Sequence, residues 1–323
     1  MKLEIVELVL GLVFVYLLFS TLVTLLVEYI SSIFSLRAKN LTKIIQRALN
    51  DDEKSDCSIE FYNHPLIKYL SKKKGEKPSY ISSNKFAKTV LDLIRTGGKN
   101  ELLGKVSELD SKDISEAIDG LDILGDDTKT LLKSYAKEAD ENINEFGIKL
   151  ENWFNETVER GQGWFNRQMK LITLIVSLVV AISLNVDSIK IYKELSDNPE
   201  LRAEIAGNAL EYVKDSSTRK EFEGDELAQY DSAKKHLITF YANELNDKAS
   251  INALSIGWSD LSKDFNGGCS IIGWIITALA ISLGAPFWFG VLNKVVALRG
   301  AASNSDRKIS GKQVLTQNDD KKT

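Results

Sequence analysis

The stretch Ser270–Ile271–Ile272–Gly273–Trp274, continued through Gly284–Ala285–Pro286–Phe287–Trp288–Phe289 to Leu298–Arg299–Gly300, decides how the rest of the chain is read. It is long enough to cross a bilayer, with an aromatic toward each end, a Gly–Ala–Pro break inside and basic residues after it. Residues 8–27 and 171–186 are apolar runs of comparable length and polarity, and the polar remainder of the chain lies between these runs. The pattern predicts a mostly α protein: three transmembrane helices, a helical cytoplasmic domain and a small helical external domain.

The bulk composition hides this. A net charge of −4 and 44% apolar residues over 323 positions resemble an ordinary soluble protein, but the apolar residues are concentrated in three blocks. Cys57 and Cys269 match no metal or disulfide spacing and read as structural. The first apolar run has the length of a full span. Its flank is Lys2, Glu4 and Glu7, and Glu28–Tyr29–Ile30–Ser31–Ser32 follows without a small-x-small cleavage site, so it reads as a transmembrane helix and not a cleaved signal peptide.

Basic residues set the expected orientation. Arg37, Lys39, Lys43 and Arg47 follow the first span, Arg160, Arg167 and Lys170 precede the second, and Lys294, Arg299, Arg307, Lys308 and Lys312 follow the third. The other side has Lys2, Lys190, Lys193 and Lys263 near the membrane. By the positive-inside rule the N-terminus is outside and the C-terminus cytoplasmic, as in a multi-pass membrane protein. The expected segments are a first transmembrane helix (1–35), a cytoplasmic helical domain with stem (36–163), a second transmembrane helix (164–189), an external or periplasmic helical domain (190–267), a third transmembrane helix (268–296) and a disordered cytoplasmic tail (297–323).

Within the cytoplasmic part, Phe86, Val90, Leu93 and Ile94 recur at helical spacing, as do Ile114, Ile118 and Leu121, and then Leu131, Leu132 and Tyr135. The first run is expected to extend past Glu28 as an amphipathic helix through Leu41, Ile44, Ile45 and Leu49. Ile143, Phe146, Leu150, Trp153 and Thr157 form a short heptad-like seam that leads past Gly161 and Gly163 into the second span. This seam reads either as a stem with a glycine hinge or as one face of a helical bundle. The external part carries ten basic against fifteen acidic residues from 190 to 265 and too few apolar ones for a strong core of its own, which favours packing against further copies.

Two features suggest binding or assembly. Lys68, Lys72, Lys73, Lys74 and Lys77 interleave with Tyr62 and Tyr80 in a Pro/Gly-containing loop, a mixture of charge and stacking faces suited to a nucleotide or single-stranded oligonucleotide ligand. A solvated loop or one near anionic lipid is the plainer alternative. Each span also carries a small or polar stripe at close to four-residue spacing: Ser20, Thr24 and Glu28; Thr173, Ser177, Ala181 and Asn185, with Asp187 beyond; Gly273, Thr277, Ala280 and Gly284, next to Pro286. Such stripes pack helices against one another or line a pore formed by several subunits. Pro286 is expected to kink the third helix and leave it buried among its neighbours.

Catalysis is not expected, nor is a metal or cofactor. His64 and His236 fall on opposite sides of the bilayer, so no histidine-based triad or metal cluster forms on one side. Gly98–Lys99–Asn100–Glu101–Leu102–Leu103–Gly104–Lys105 misses P-loop spacing by one residue and is followed by Val106 where Ser or Thr belongs.

Tyr62–Asn63–His64–Pro65–Leu66–Ile67, Pro78–Ser79–Tyr80–Ile81, Glu151–Asn152–Trp153–Phe154, Gly163–Trp164–Phe165–Asn166–Arg167, Leu184–Asn185–Val186–Asp187 and Gly284–Ala285–Pro286–Phe287–Trp288–Phe289 with Leu292–Asn293–Lys294 together resemble a widespread, largely uncharacterised family of three-span bacterial inner-membrane proteins. Members often carry an Asp after the last block where this chain has Gly290, so no role of that carboxylate carries over. The layout is more weakly similar to Hailong-type membrane effectors of antiviral systems, in which a cytoplasmic sensor controls a pore. The expectation is an oligomeric ligand-gated ion channel or pore-forming effector controlled by its cytoplasmic domain. The alternative is a non-conducting membrane scaffold or sensor that recruits a cytoplasmic protein partner.

Overall fold

The structure, a computed structural model, describes residues 2–50, 57–71, 75–98, 114–214, 254, 256–258 and 268–300. Every regular element among these residues is an α-helix, as the sequence predicts. The chain divides into two compact units: Met1–Tyr29 with Lys170–Thr323 (unit 1), and Ile30–Met169 (unit 2).

Unit 2 is a bundle of α2 (Leu36–Leu49), α3 (Cys57–Asn63), α4 (Pro65–Lys68), α5 (Ser83–Thr96), α6 (Ile114–Asp119), α7 (Asp126–Glu138) and the first part of α8 (Ile143–Ser183). Local chemistry sets the helix ends. Asn142 caps α8 by accepting from the Asn144 and Glu145 N–H groups at 2.9 and 3.2 Å. Gly97, at φ 63°, closes α5 with the Gly98 N–H on the Leu93 carbonyl at 2.9 Å. The apolar positions read at helical spacing are the core: Phe86, Val90, Leu93, Ile114, Ile118 and Leu132 are all buried. Phe86 lies at its centre, stacked on Phe154 at 4.5 Å and flanked by Phe61 at 5.4 Å and Trp153 at 5.7 Å.

Two expectations about this unit need correction. The first span does not run on as one helix into the amphipathic segment: α1 (Lys2–Ile33) ends, Ser35 takes up a left-handed φ of 48°, and α2 starts afresh at Leu36. Nor is there a glycine hinge, because α8 passes Gly161 and Gly163 without a break. Gly161 is buried, and a Cβ there would run into Ile44 of α2, so its role is close helix packing. The seam residues Phe146, Leu150 and Trp153 are buried in the bundle.

Unit 1 holds α1 up to Tyr29, the rest of α8, α9 (Ser188–Asp197), α10 (Pro199–Lys214), α11 (Gly268–Ile281) and α12 (Ala285–Gly300). The helices α1 and α8 are each long and apolar enough to cross a membrane, and α11 with α12 makes a third span if counted as one broken helix. They differ in setting: the apolar window of α1 is 61% buried within the chain, that of α8 only 22%. α1 is therefore the core helix of its unit. Leu10, Phe14 and Leu17 of α1 share a core with Ile191 and Leu195 of α9 and with Leu201 and Ile205 of α10. The start of the segment expected as a separate external domain thus packs on α1 of the same chain, which supplies the apolar surface that segment lacks. Residues 215–253 of it, and His236 with them, lie outside the described residues, as does the tail beyond residue 300.

The third apolar segment departs most from expectation. α11 and α12 meet at 91°, the geometry of one broken span or of a segment that enters and returns. Gly284, at φ 87°, stands between them, and Pro286 occupies the second position of α12, where a missing N–H costs nothing. The Trp288 indole N–H donates back to the Ala280 carbonyl at 2.7 Å and pins the corner. From there α12 runs antiparallel to α1. Trp288 lies 4.8 Å from the Tyr16 ring, and Arg299 pairs with Glu7 at 2.9 Å. The end of α12 therefore lies beside the start of α1.

Candidate functional site

The polar residues of unit 1 converge where α8 gives way to α9. Asn185 adopts a left-handed φ of 48°, which asparagine tolerates, and terminates α8. Two residues on, Asp187 caps α9, its Oδ1 accepting from the Ile189 N–H at 2.8 Å and the Lys190 N–H at 3.3 Å. The last carbonyls of α8 are also satisfied: the Trp258 indole N–H reaches those of Ile182 and Ser183 at 3.1 and 3.2 Å, and the Gly257 N–H reaches that of Leu184 at 2.9 Å. In an apolar setting this matters, because each unpaired backbone group would cost several kcal/mol.

Around this break three helices are tied by hydroxyls. The Tyr16 hydroxyl of α1 donates to Ser188 Oγ at 2.8 Å. Thr277 Oγ1 of α11 accepts from the Ser188 N–H at 3.0 Å and donates to the Gly273 carbonyl at 2.9 Å. Its only proton is then in use, so across the 2.7 Å contact between the two hydroxyls Ser188 is the donor. The chain of donors runs Tyr16 → Ser188 → Thr277 → Gly273 carbonyl. Beside it the Trp274 indole N–H donates to Asn185 Oδ1 at 3.1 Å, and Asn185 Nδ2 donates to the Gly257 carbonyl at 2.9 Å. All five of Tyr16, Asn185, Asp187, Ser188 and Thr277 are buried. Gly273 is the close contact: a Cβ at that position would overlap the Asp187 carboxylate.

This arrangement locks helices to one another. No group of three or more His, Cys, Asp or Glu side chains that could hold a metal occurs among the described residues. The Asp187 Oδ1 is occupied by helix N–H groups, and no histidine lies nearby in sequence.

Of the stripe residues, Asn185, Asp187, Gly273 and Thr277 meet at the junction. Ser20 is fully buried and, like Thr24, spends its hydroxyl on its own helix, bonding to the Leu17 and Ser20 carbonyls respectively. Ser177 is fully buried with no hydrogen-bond partner among the described residues, Thr173 and Glu28 are half-buried, Gly284 forms the corner, and Pro286 is exposed. The basic loop is less of a unit than its composition suggests. Tyr62 turns inward, edge-on to Phe61 at 5.5 Å, and Lys77 lies over its ring at 4.5 Å. Burial pushes the Tyr62 phenol up to about 12. Lys68 and Tyr80 are exposed, and Lys72, Lys73 and Lys74 lie outside the described residues.

Tyr16, Ser188, Trp258 and the Trp274–Asn185 contact were not legible as site features. The usable signal was the pair Asn185 and Asp187: a residue able to end a helix, then one able to start the next. Comparison with protein-family models, curated proteins and solved structures finds no match to this chain. Its functional reading therefore rests on its own geometry.

Proposed function

We propose that this chain is a subunit of a homo-oligomeric membrane channel or pore-forming effector, set in a bacterial inner membrane and controlled through unit 2. The observation that carries the reading is the buried junction of Tyr16, Asn185, Asp187, Ser188 and Thr277. Polar groups held inside apolar segments are costly and concentrate along ion and substrate paths, and broken helix ends at membrane depth recur in transport proteins. The effector role in antiviral defence rests on the weaker family resemblance. In this reading unit 2 is cytoplasmic, on the side of Arg37, Lys39, Lys43, Arg160 and Arg167. α1 and α8 cross the bilayer, while α11 and α12 enter and return, so the end of α12 lies outside with the start of α1.

A specific observation supports a second reading. Ser20, Ser177, Gly273 and Thr277 are buried within a single chain, as packing faces would be. That favours a non-conducting scaffold or sensor that docks a cytoplasmic partner. Flux through vesicles carrying the purified full chain separates the two. A channel gives stepwise conductance in planar bilayers and dissipates a potassium gradient when nucleotides or short oligonucleotides are added. Vesicles that hold their gradient under all of these, with a soluble protein recovered stoichiometrically by pull-down, would establish the scaffold.

A further inference from the structure

A second site lies wholly within unit 2. An open cavity of about 310 Å³ is bounded by α2, α7 and α8, with Arg47, Arg160, Trp153, Trp164, Asp127 and Thr157 on its walls. Its volume falls at the small end of the range for small-molecule sites, roughly 300–1,000 Å³. The walls are fixed to one another. Ile44 of α2 seats against Gly161 of α8, where no side chain larger than hydrogen fits, and the Thr128 hydroxyl of α7 donates to the Ala48 carbonyl of α2 at 3.3 Å.

Two arginines from different helices face this space without a carboxylate at ion-pair distance among the described residues. The Arg47 guanidinium lies over the Trp164 ring at 4.9 Å, and the Arg160 guanidinium donates to the Thr157 hydroxyl at 3.5 Å. A guanidinium over an indole face is held in place by the ring while its N–H donors stay available to bind phosphate oxygens in pairs. Trp153, at 7% exposure, forms a wall, whereas Trp164, at 55%, keeps a face open for an apolar or ring-bearing body. With Asp127 on the rim the lining carries one net positive charge, which suits a phosphate ester better than a highly charged polyanion.

We propose that the Arg47–Arg160–Trp164 cavity binds a phosphate ester, the phosphate between the two guanidinium groups and its organic part against Trp164. The same phosphate chemistry is offered by a soluble nucleotide and by an anionic phospholipid headgroup. Trp164 stands seven residues before Leu171, where the apolar run of α8 begins, so either source can reach it. This deepens the ligand-controlled reading of unit 2. Because the test reads occupancy and not conduction, failure of the pocket and failure of the channel are separate results.

The test uses the purified full chain in nanodiscs and follows tryptophan fluorescence. One arm titrates adenosine monophosphate against protein in neutral phosphatidylcholine discs, and the other compares those discs with discs containing phosphatidylglycerol. A saturable change that disappears in Trp164→Phe and weakens at least about tenfold in Arg47→Gln and Arg160→Gln, but not in the surface control Lys88→Gln, supports the site. Response in the first arm identifies a soluble ester, and response in the second alone a lipid headgroup. An unchanged melting temperature of the two arginine variants shows that the fold is intact. No response in either arm, or a response indifferent to both arginines, overturns the proposal.

Discussion

Gly273 shows how much of the apolar unit turns on one missing side chain. With the Asp187 carboxylate where its Cβ would be, Gly273→Ala must displace either α11 or the cap of α9. Overpacking of this kind costs about 1–3 kcal/mol, so the variant in detergent should melt several degrees lower. An unchanged melting temperature would mean that the junction is loosely packed. His64 gives a residue-scale test in unit 2. Its Nδ1 accepts from the Leu66 N–H at 3.4 Å, which leaves the proton on Nε2 facing Asp92 at 3.6 Å. Burial lowers its pKa below 6.5, and the Asp92 charge opposes that only partly. The unfolded chain therefore takes up the proton first as pH falls, so this contribution to stability is complete above 6.5 and is lost below it. His64→Asn keeps a capping acceptor and should flatten the decline in melting temperature below that pH; an equally steep decline would assign it to other groups. At this scale the sequence was half legible. Gly273 and Thr277 stood out by spacing, but Tyr16 sits among apolar residues of α1 and meets Ser188 only through the fold.

The helices show what spacing can and cannot decide. That residues 143–183 are helical was readable from the seam and the apolar run; that α8 is unbroken was not, because two glycines inside a helix look alike in sequence. Their surroundings differ: Gly161 is closed off by Ile44, whereas nothing lies within 4 Å of the Cβ position of Gly163. Gly163→Ala should therefore raise the melting temperature, alanine being favoured by roughly 0.8–1.0 kcal/mol in a helix interior. Gly161→Ala should lower it through the clash. Equal gains from both would contradict the packing of α2 on α8. The corner between α11 and α12 separates two residues that read as one signal. Gly284 holds a φ of 87° with no neighbouring atom closer than 3.8 Å, so Gly284→Ala carries only the backbone cost, roughly 1–2 kcal/mol. Pro286→Ala removes only a preset φ and should cost less, about 0.4–1 kcal/mol. Differential scanning of the two variants checks the order, and the reverse order would restore proline as the cause of the bend.

At the scale of the whole molecule, the helical class and the apolar spans were legible because burial of apolar area has a fixed period and length. Which span is enclosed by protein was not, since both read as apolar spans and their sequences do not say what packs around them. The pairing of Arg299 with Glu7 was not legible either, because the two residues lie at opposite ends of the sequence. The proposed return of the third segment is the claim on which the membrane path depends. Sided labelling tests it directly. With Cys57 and Cys269 replaced by alanine, single cysteines at Ile5 and Leu298, both exposed, are treated with a membrane-impermeant maleimide in sealed vesicles. The bent arrangement predicts that both positions label from the same face. Labelling from opposite faces would show that the segment crosses the bilayer and would contradict the account.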